Sequence, residues 1–209
     1  MGVIASTAKS LSLLTEQLGH DAGVRFARAD VTEKANFDRV LAELADALGG
    51  VDCLIYNPKV SVKGSGLTTP PDELAFSLQV NVVGAVVAIQ AALPYLSRST
   101  RPTVILTGGG YKDDADVEKF ALSVGKSALH AVARTLQKPL RQRGVQLKTI
   151  IVRKVVRASD PRWTTARDLA DYFWNVFAYG RATVFYYPLR GGTSADQLSL
   201  LAGRLGSSE

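Results

Sequence analysis

The chain has 209 residues, of which 46% are hydrophobic and 21% charged, a balance that suits one globular domain, residues 1–209, with its own core. Its apolar runs, such as residues 82–89, stay short of the ~20 residues that a membrane span needs, and no signal peptide is expected at its start. A single cysteine, Cys53, excludes an intramolecular disulfide and favours a cytoplasmic location. These features argue against a membrane protein and a disulfide-stapled one.

The formal net charge of +6 attracts anions such as phosphates. The basic residues are scattered along the sequence, and the densest groups are the pairs Arg141 with Arg143 and Arg153 with Lys154. We therefore expect a solvated surface with a mild attraction for anionic cofactors, and no nucleic-acid partner.

Strand-like and helix-like segments alternate along the chain, a pattern typical of an α/β fold with a mostly parallel sheet. Strands are predicted at residues 3–6, 24–29, 53–56, 103–107, 145–152 and 183–187. Helices are predicted at residues 9–18, from Thr32 to the glycines at 49–50, and at 72–96, 117–143, 165–177 and 194–205. Thr32 is a candidate helix cap, and Thr165 with Asp168 forms a capping-box-like start.

Residues 119–136, KFALSVGKSALHAVARTL, resemble the catalytic helix of the short-chain dehydrogenase/reductase family. That family has a Tyr-x-x-x-Lys pair there. Lys126 stands at the lysine position and Leu122 at the tyrosine position. The resemblance implies that Lys126 binds the ribose hydroxyls of a nicotinamide cofactor. Leucine has no ionisable proton, so Leu122 cannot act as a general acid or base.

Three further segments resemble the same family. Residues 29–31, Ala-Asp-Val, look like its motif after a strand, in which the aspartate binds the adenine amino group; this implies a cofactor site at Asp30 and Val31. Residues 51–59 resemble its buried strand and place Asn57 at the cofactor. Residues 80–84 resemble a helix motif whose asparagine, here Asn81, supports a water relay to the catalytic lysine. Asn81 can instead bond the backbone of the neighbouring helix, and Asp30 can instead start a turn.

Two departures from the family concern catalysis. The usual spacing places Gly109 at the position of the catalytic serine, and the expected Pro-Gly reads Val152-Arg153. The segments Tyr56-Asn57-Pro58 and Thr107-Gly108-Gly109 resemble a divergent branch of the family. Tyr111 and Tyr56 are candidates for a replacement acid.

Another departure concerns the start of the family's fold, a strand with a Gly-rich turn that holds the cofactor pyrophosphate. Residues 3–11 look instead like the family's second strand and its continuation. Ser6, Thr7 and Lys9 then fall where family members read the 2′-phosphate of NADP. No acidic residue ends that strand, which favours NADP over NAD. An ordinary polar turn is the alternative.

The missing strand would be central, because the family's sheet order is 3-2-1-4-5-6-7. Closing the gap gives about six strands in the order 2-1-3-4-5-6, a flavodoxin-like variant of the Rossmann-like doubly wound parallel sheet. Alternatively, the chain as given lacks its start, and the sheet has a strand-wide gap that leaves backbone groups unpaired.

Three functions compete. The resemblance implies an NADP(H)-related oxidoreductase acting on a small-molecule substrate with impaired or unconventional catalysis. A second possibility is a non-catalytic homologue that serves as a binding or scaffolding subunit. A third is a flavin or phosphate site at the new switch point, formed by Ser6, Thr7 and Ser10. The family's usual dimer implies a homo-oligomer through helices 72–96 and 117–143. His20 and His130 stand alone, so no metal site is expected, and Trp163 and Trp174 are expected in a core or a subunit interface.

Overall fold

The fold is taken from a computed structural model, which describes residues 1–18, 23–112, 115–153, 156 and 165–188. His20, Trp163 and the helix predicted at 194–205 lie outside these residues. The strands are β1 (Gly2–Ala5), β2 (Arg25–Arg28), β3 (Cys53–Tyr56), β4 (Thr103–Gly109), β5 (Gln146–Val152) and β6 (Val184–Tyr187). The α-helices are α1 (Ala8–Leu18), α2 (Lys34–Leu48), α3 (Pro71–Leu78), α4 (Gly84–Leu96), α5 (Phe120–Gln142) and α6 (Ala166–Tyr179).

Most predicted elements are confirmed within one or two residues. The stretch 72–96 is one helical segment in which a π-helical turn, Gln79–Val83, joins α3 to α4. The capping box at the start of α6 is present, since the Thr165 side chain accepts from the backbone N–H of Asp168. Thr32 is not a helix cap: α2 begins at Lys34 after Glu33, because the Thr32 hydroxyl donates to Asp30 instead.

The six strands form two separate parallel sheets. β1 pairs with β2, and β3, β4, β5 and β6 pair in that order. The predicted order 2-1-3-4-5-6 is wrong in one respect, because the described strands include no hydrogen-bonded pairing between β1 and β3. The alternative, a sheet interrupted at this place, is what the structure has. The packing of α2, which contacts β1 and β2, against α4, which contacts β3 and β4, holds the two halves together without a continuous ladder.

The unpaired edges of β1 and β3 face each other. α1 packs against β1 and β2. α2 packs against α4 in a core to which α1 contributes no residue, so α1 and α2 lie on opposite faces. Crossovers between parallel strands are right-handed, so helices on opposite faces carry the chain in opposite directions. β2 therefore lies on one side of β1 and β3 on the other.

One apolar core underlies both sheets. Helices α2, α4 and α5 contribute buried side chains to it, and Ile4 of β1, Ala27 of β2 and Leu54 of β3 pack on the same core. A second core fills the space between α6 and the opposite face of β4, β5 and β6; its buried members include Ile105, Ile150, Tyr172, Val176 and Phe185.

The helical segment Pro71–Leu96 is long and apolar enough to cross a membrane, by length and composition alone. This differs from the expectation that no segment reaches that length. Its α4 half supplies the shared core, in which Ala85, Ala88, Ile89, Ala92 and Leu96 are buried. Core packing therefore accounts for its apolar composition.

Hydrogen bonds identify the backbone groups of β1 and β3 that face the gap between their unpaired edges. The Ala5 carbonyl accepts from Ala29 next to β2, and the Asp52 carbonyl accepts from Thr103 of β4. Successive residues of a strand direct their backbone groups to alternate sides. Ile4 and Ile55 therefore direct their N–H groups into the gap, and the Ile55 side chain is 49% exposed.

We expect the amides of Ile4 and Ile55 to exchange with solvent at least tenfold faster than the amide of Leu54, which faces β4. Amides without a partner open to water more readily than amides within a ladder. Residue-resolved hydrogen exchange by NMR measures the difference. Equal protection of Ile55 and Leu54 would show that β3 is paired on both edges.

Candidate functional site

The predicted site residues lie at the carboxyl ends of the parallel strands, where ligands bind in doubly wound α/β folds. Ser6 and Thr7 follow β1, Asp30 and Val31 follow β2, Asn57 follows β3, and Gly109 ends β4. Lys126 of α5 reaches the same edge, because its Nζ donates to the carbonyl oxygen of Thr107 at 2.7 Å.

Lys126 is buried beside the position predicted for the catalytic serine. Its residue surface is 7% exposed, and a Cβ added at Gly109 would lie 3.4 Å from Lys126 Cγ. Burial, with a smaller contribution from the charge of Lys59, lowers the pKa of Lys126 to about 8. Gly109 and Lys126 therefore adjoin in the structure.

Thr107 carries an unpaired polar atom next to this lysine. Its Oγ1 is buried and has no hydrogen-bond partner within the described parts of the chain, while its carbonyl oxygen binds Lys126. Buried hydroxyl groups normally have a partner. Thr107 Oγ1 is therefore positioned to bond a polar group that a ligand would bring.

The position of the missing tyrosine is filled by a buried leucine, since Leu122 is 2% exposed. Tyr56 does not supply the acid instead. Its hydroxyl donates to the carbonyl oxygen of Val80 at 2.5 Å, and burial together with the charge of Asp30 raises the pKa of Tyr56. A phenol held in its protonated form by burial is a poor proton donor.

Tyr111 is better placed. It lies in the 3-10 turn Gly110–Lys112, two residues after Gly109, and the Lys119 ammonium donates to its hydroxyl at 3.0 Å. Lys119 is held in turn by Asp116 at 3.0 Å. The hydrogen bond to Tyr111, followed by the bond to Asp116, raises the pKa of Lys119. Lys119 thus keeps its positive charge where a phenolate would form.

Asn81 has a structural role, but a different partner from the one predicted. Its Nδ2 donates to Val60 O at 2.8 Å and to Ser77 Oγ at 3.0 Å, and its Oδ1 accepts from Val60 N at 3.0 Å. The expected bond to the backbone of the neighbouring helix is absent among the described contacts, because the loop after β3 takes both ends of the amide. Gly125 allows α5 to pack closely there, since an added Cβ would lie 3.3 Å from Asn81 Cβ.

The two residues after β2 separate into a polar and a core position. Asp30 Oδ1 accepts from the N–H of Thr32 at 2.9 Å and from its hydroxyl at 2.7 Å. Both bonds form the predicted turn and leave Oδ2 for a ligand. Val31 is buried, and a Cβ added at Gly84 would come within 2.7 Å of it. The Val31 side chain therefore belongs to the core, and the assignment of Val31 to the cofactor site stays a prediction.

The residues after β1 and β3 are exposed. Thr7 Oγ1 accepts from the Ser10 N–H at 3.1 Å, which caps α1 and supports the reading of an ordinary polar turn. Arg28 Nε donates to the Ser6 carbonyl at 3.3 Å. This brings a cation, which the motifs did not single out, to the predicted phosphate position. Asn57 is exposed and makes no side-chain hydrogen bond to another described residue.

No group of three or more His, Cys, Asp or Glu side chains in the described residues is arranged to hold a metal ion.

Comparison with known proteins identifies the family. Residues 1–158 match the short chain dehydrogenase family. The chain belongs to this family. Among curated relatives, an uncharacterized oxidoreductase of Staphylococcus epidermidis is 25% identical over 148 residues, which are 71% of this chain and 64% of that protein. An oxidoreductase of Sarocladium schorii is 24% identical over 147 residues, 68% of this chain and 56% of that protein. The chain thus matches under two thirds of the length of these relatives.

Solved structures of the family share the fold. The Pseudomonas aeruginosa RhlG/NADP active-site complex superposes with a TM-score of 0.78 at 21% identity and covers 89% of this chain and 84% of that one. An NADH-dependent reductase of alginate metabolism has a TM-score of 0.75 at 20% identity, with 88% and 83% covered. These likenesses confirm the Rossmann-like α/β fold.

Replacing Asn81 by Ala should lower the free energy of unfolding by about 2–4 kcal/mol, because three buried or partly buried hydrogen bonds are lost and the Val60 N–H loses its partner. Ser77→Ala is the matched control and should cost about 1 kcal/mol, since it removes one of those bonds. Urea denaturation measures both values. Equal effects of the two variants would contradict the role given to Asn81.

The pKa of Lys126 predicts a pH dependence of stability. The folded value of about 8 lies below the ordinary lysine value of 10.5, so between these limits the unfolded chain binds more protons and the free energy of unfolding rises with pH. Relative to Lys126→Met, the wild-type protein should gain on the order of 3 kcal/mol from pH 8 to 10.5. Denaturation curves across this range provide the measurement, and a difference that does not change with pH would exclude a charge-burial cost at Lys126.

Proposed function

We propose that this chain is an NADP(H)-dependent oxidoreductase that transfers a hydride between the cofactor and a small carbonyl or alcohol substrate, with Tyr111 as the proton donor. The observation that carries the proposal is the Lys119–Tyr111 hydrogen bond of 3.0 Å. Tyr111 follows Gly109 by two residues in the sequence, and Gly109 adjoins Lys126. The family and the named activities of its relatives support the reaction class.

The residues at the carboxyl edge fit a nicotinamide dinucleotide. Asp30 Oδ2 is available to the adenine amino group, Lys126 to the ribose hydroxyls, and Asn57 lies between them in strand order. Arg28 beside Ser6 suits a 2′-phosphate, which favours NADP(H). The unpaired, buried Thr107 Oγ1 matches the polar character of such a ligand. When bound, the nicotinamide supplies or accepts the hydride.

Side chains of the protein then carry out the proton transfer. In the direction of reduction, the substrate carbonyl carbon receives the hydride and its oxygen takes the proton from Tyr111 Oη, which gives an alcohol. The phenolate left behind is stabilised by the Lys119 ammonium, which Asp116 holds in place. A preorganised positive charge at a site of developing negative charge lowers the barrier. Lys126 meanwhile orients the cofactor.

A second candidate function is a subunit that binds without catalysis. Buried Leu122 at the tyrosine position and Gly109 at the serine position favour it. The homo-oligomer expected through helices 72–96 and 117–143 stays a proposal, to which exposed Phe76 and Val83 lend support, with 53% and 43% of their surfaces accessible. A flavin or phosphate site at the switch point would need β1 and β3 joined, and the Thr7 and Ser10 hydroxyls that would form it bond each other instead.

Tyr111→Phe should reduce NADPH-dependent reduction of aldehydes and ketones at least 100-fold, because general acid catalysis contributes on the order of 100- to 10,000-fold. Tyr56→Phe is the control that removes a different phenol and should change the rate by less than about threefold. Consumption of NADPH over a panel of carbonyl compounds gives the rates. Unchanged activity in Tyr111→Phe would assign the proton to another group.

Binding is measured separately from turnover. Lys126→Met should weaken NADPH binding about tenfold by calorimetry, whereas Lys34→Met on the exposed start of α2 should not alter it. NADPH binding by a wild-type protein that reduces no carbonyl compound would favour the non-catalytic function. No binding at all would overturn the cofactor assignment.

A further inference from the structure

A large cavity opens at the edge of the sheet opposite the candidate active site. Its volume is about 1060 Å³, and its lining includes Thr103 and Gln146, the first residues of β4 and β5, and Thr183, which precedes β6. The ends of α5 and α6 complete it. Lys126, Asp30 and Asn57 lie at the carboxyl ends of the strands, so this cavity is separate from the proposed cofactor site.

Its lining is strongly basic. It contains six cationic side chains and, among the described residues, no carboxylate; the six are Arg101, Arg134, Lys138, Arg141, Lys148 and Arg181. The whole chain has 25 basic and 19 acidic residues, so setting these six aside leaves 19 of each sign. The number of cations in this cavity thus equals the formal net charge of the protein.

Two of these cations have structural partners. Arg101 donates to the carbonyl oxygens of Phe177 and Ala178 at the end of α6, at 3.3 and 2.6 Å. Lys148 is buried and donates to the Val176 carbonyl oxygen at 2.8 Å. Cations at a helix carboxyl terminus offset its negative dipole end. These contacts of Arg101 and Lys148 offset the carbonyl oxygens at the end of α6, which would otherwise repel an anion in the cavity.

The other four cations have no such role. Arg134, Lys138, Arg141 and Arg181 are exposed, and none forms an ion pair with another described residue. The first three occur at positions i, i+4 and i+7 of α5, which puts them on one face of the helix, where like charges repel. The helix dipole accounts for Arg141 in the last turn only. A polyanionic ligand would relieve the repulsion that remains.

We propose that this cavity binds a small molecule carrying several phosphate groups. Its volume is near the upper end of the range for small-molecule sites, and its concave shape differs from an exposed stripe that would follow a polymer. Arginine side chains bind phosphate oxygens in pairs of parallel hydrogen bonds. Arg134, Lys138, Arg141 and Arg181 supply the direct contacts, with Arg101 and Lys148 adding charge behind them.

The test uses inorganic tripolyphosphate as the probe and calorimetry at low and at physiological salt. The binding variant is the triple substitution Arg134→Gln, Lys138→Gln and Arg141→Gln. The control triple substitution, Arg25→Gln, Lys34→Gln and Arg98→Gln, removes the same net charge outside the cavity. We expect the binding variant to lose at least tenfold in affinity and the control to stay within twofold.

Three outcomes would overturn the proposal: no binding of tripolyphosphate by the wild-type protein, equal losses in both triple variants, or much tighter binding of a single-stranded oligonucleotide than of tripolyphosphate. The second would show a response to net charge alone, and the third a nucleic-acid surface. Lys126→Met should leave tripolyphosphate binding unchanged, so a failure here is distinguishable from a failure of the cofactor proposal.

Discussion

The packing of α2 against α4 is the interaction on which the rest of this structure depends. Among the described strands, no ladder joins the β1–β2 pair to the four-stranded sheet. The relative position of the two is therefore fixed through apolar side chains of α2 and α4, which are Phe37, Val40, Leu41, Ala85, Ala88 and Ile89. Apolar burial of this kind is worth roughly 25 cal/mol per Å² and is not directional. Apolar burial can therefore hold two sheets together across an interruption, whereas backbone pairing needs adjacent strands. The carboxyl ends of β1, β2 and β3 stay on one side of the molecule because this layer holds them there.

That arrangement explains why Asn81 and Lys126 can keep the positions of the family site although Leu122 replaces its tyrosine. Asn81 sits in the π-helical turn between α3 and α4, and its amide fastens the loop after β3 to the same helical layer. π-helical turns are often found at functional sites. Gly125 brings α5 against this turn, which places Lys126 next to Thr107 and Gly109. The framework around the lysine therefore rests on packing and hydrogen bonds that do not require a tyrosine at Leu122.

The sequence predicted the elements well because each carries a local signal, such as the apolar run at Cys53–Tyr56 and the capping box of Thr165. It predicted every strand pairing except the break between β1 and β3, which it left open as an alternative, since the pattern of β1 shows a strand but not its neighbour. The family motif located Lys126, Asn81 and Asp30. It could not reveal that Lys119 meets Tyr111, because the two residues are eight positions apart and share no helix or strand that would bring them together. Likewise, the cations of the basic cavity are spread from Arg101 to Arg181 along the chain and converge only in the folded protein.

The two ends of the sheet thus carry different proposed sites, and one measurement separates them: hydrogen exchange of the whole chain with and without NADPH. We expect slower exchange at the carboxyl ends of the strands, around Asp30, Asn57 and residues 107–111, whether or not exchange also slows around Phe177 and Arg181, since NADPH itself carries several phosphate groups. Protection confined to the basic cavity, or no protection anywhere, would contradict the claim that the interrupted sheet still binds a nicotinamide cofactor.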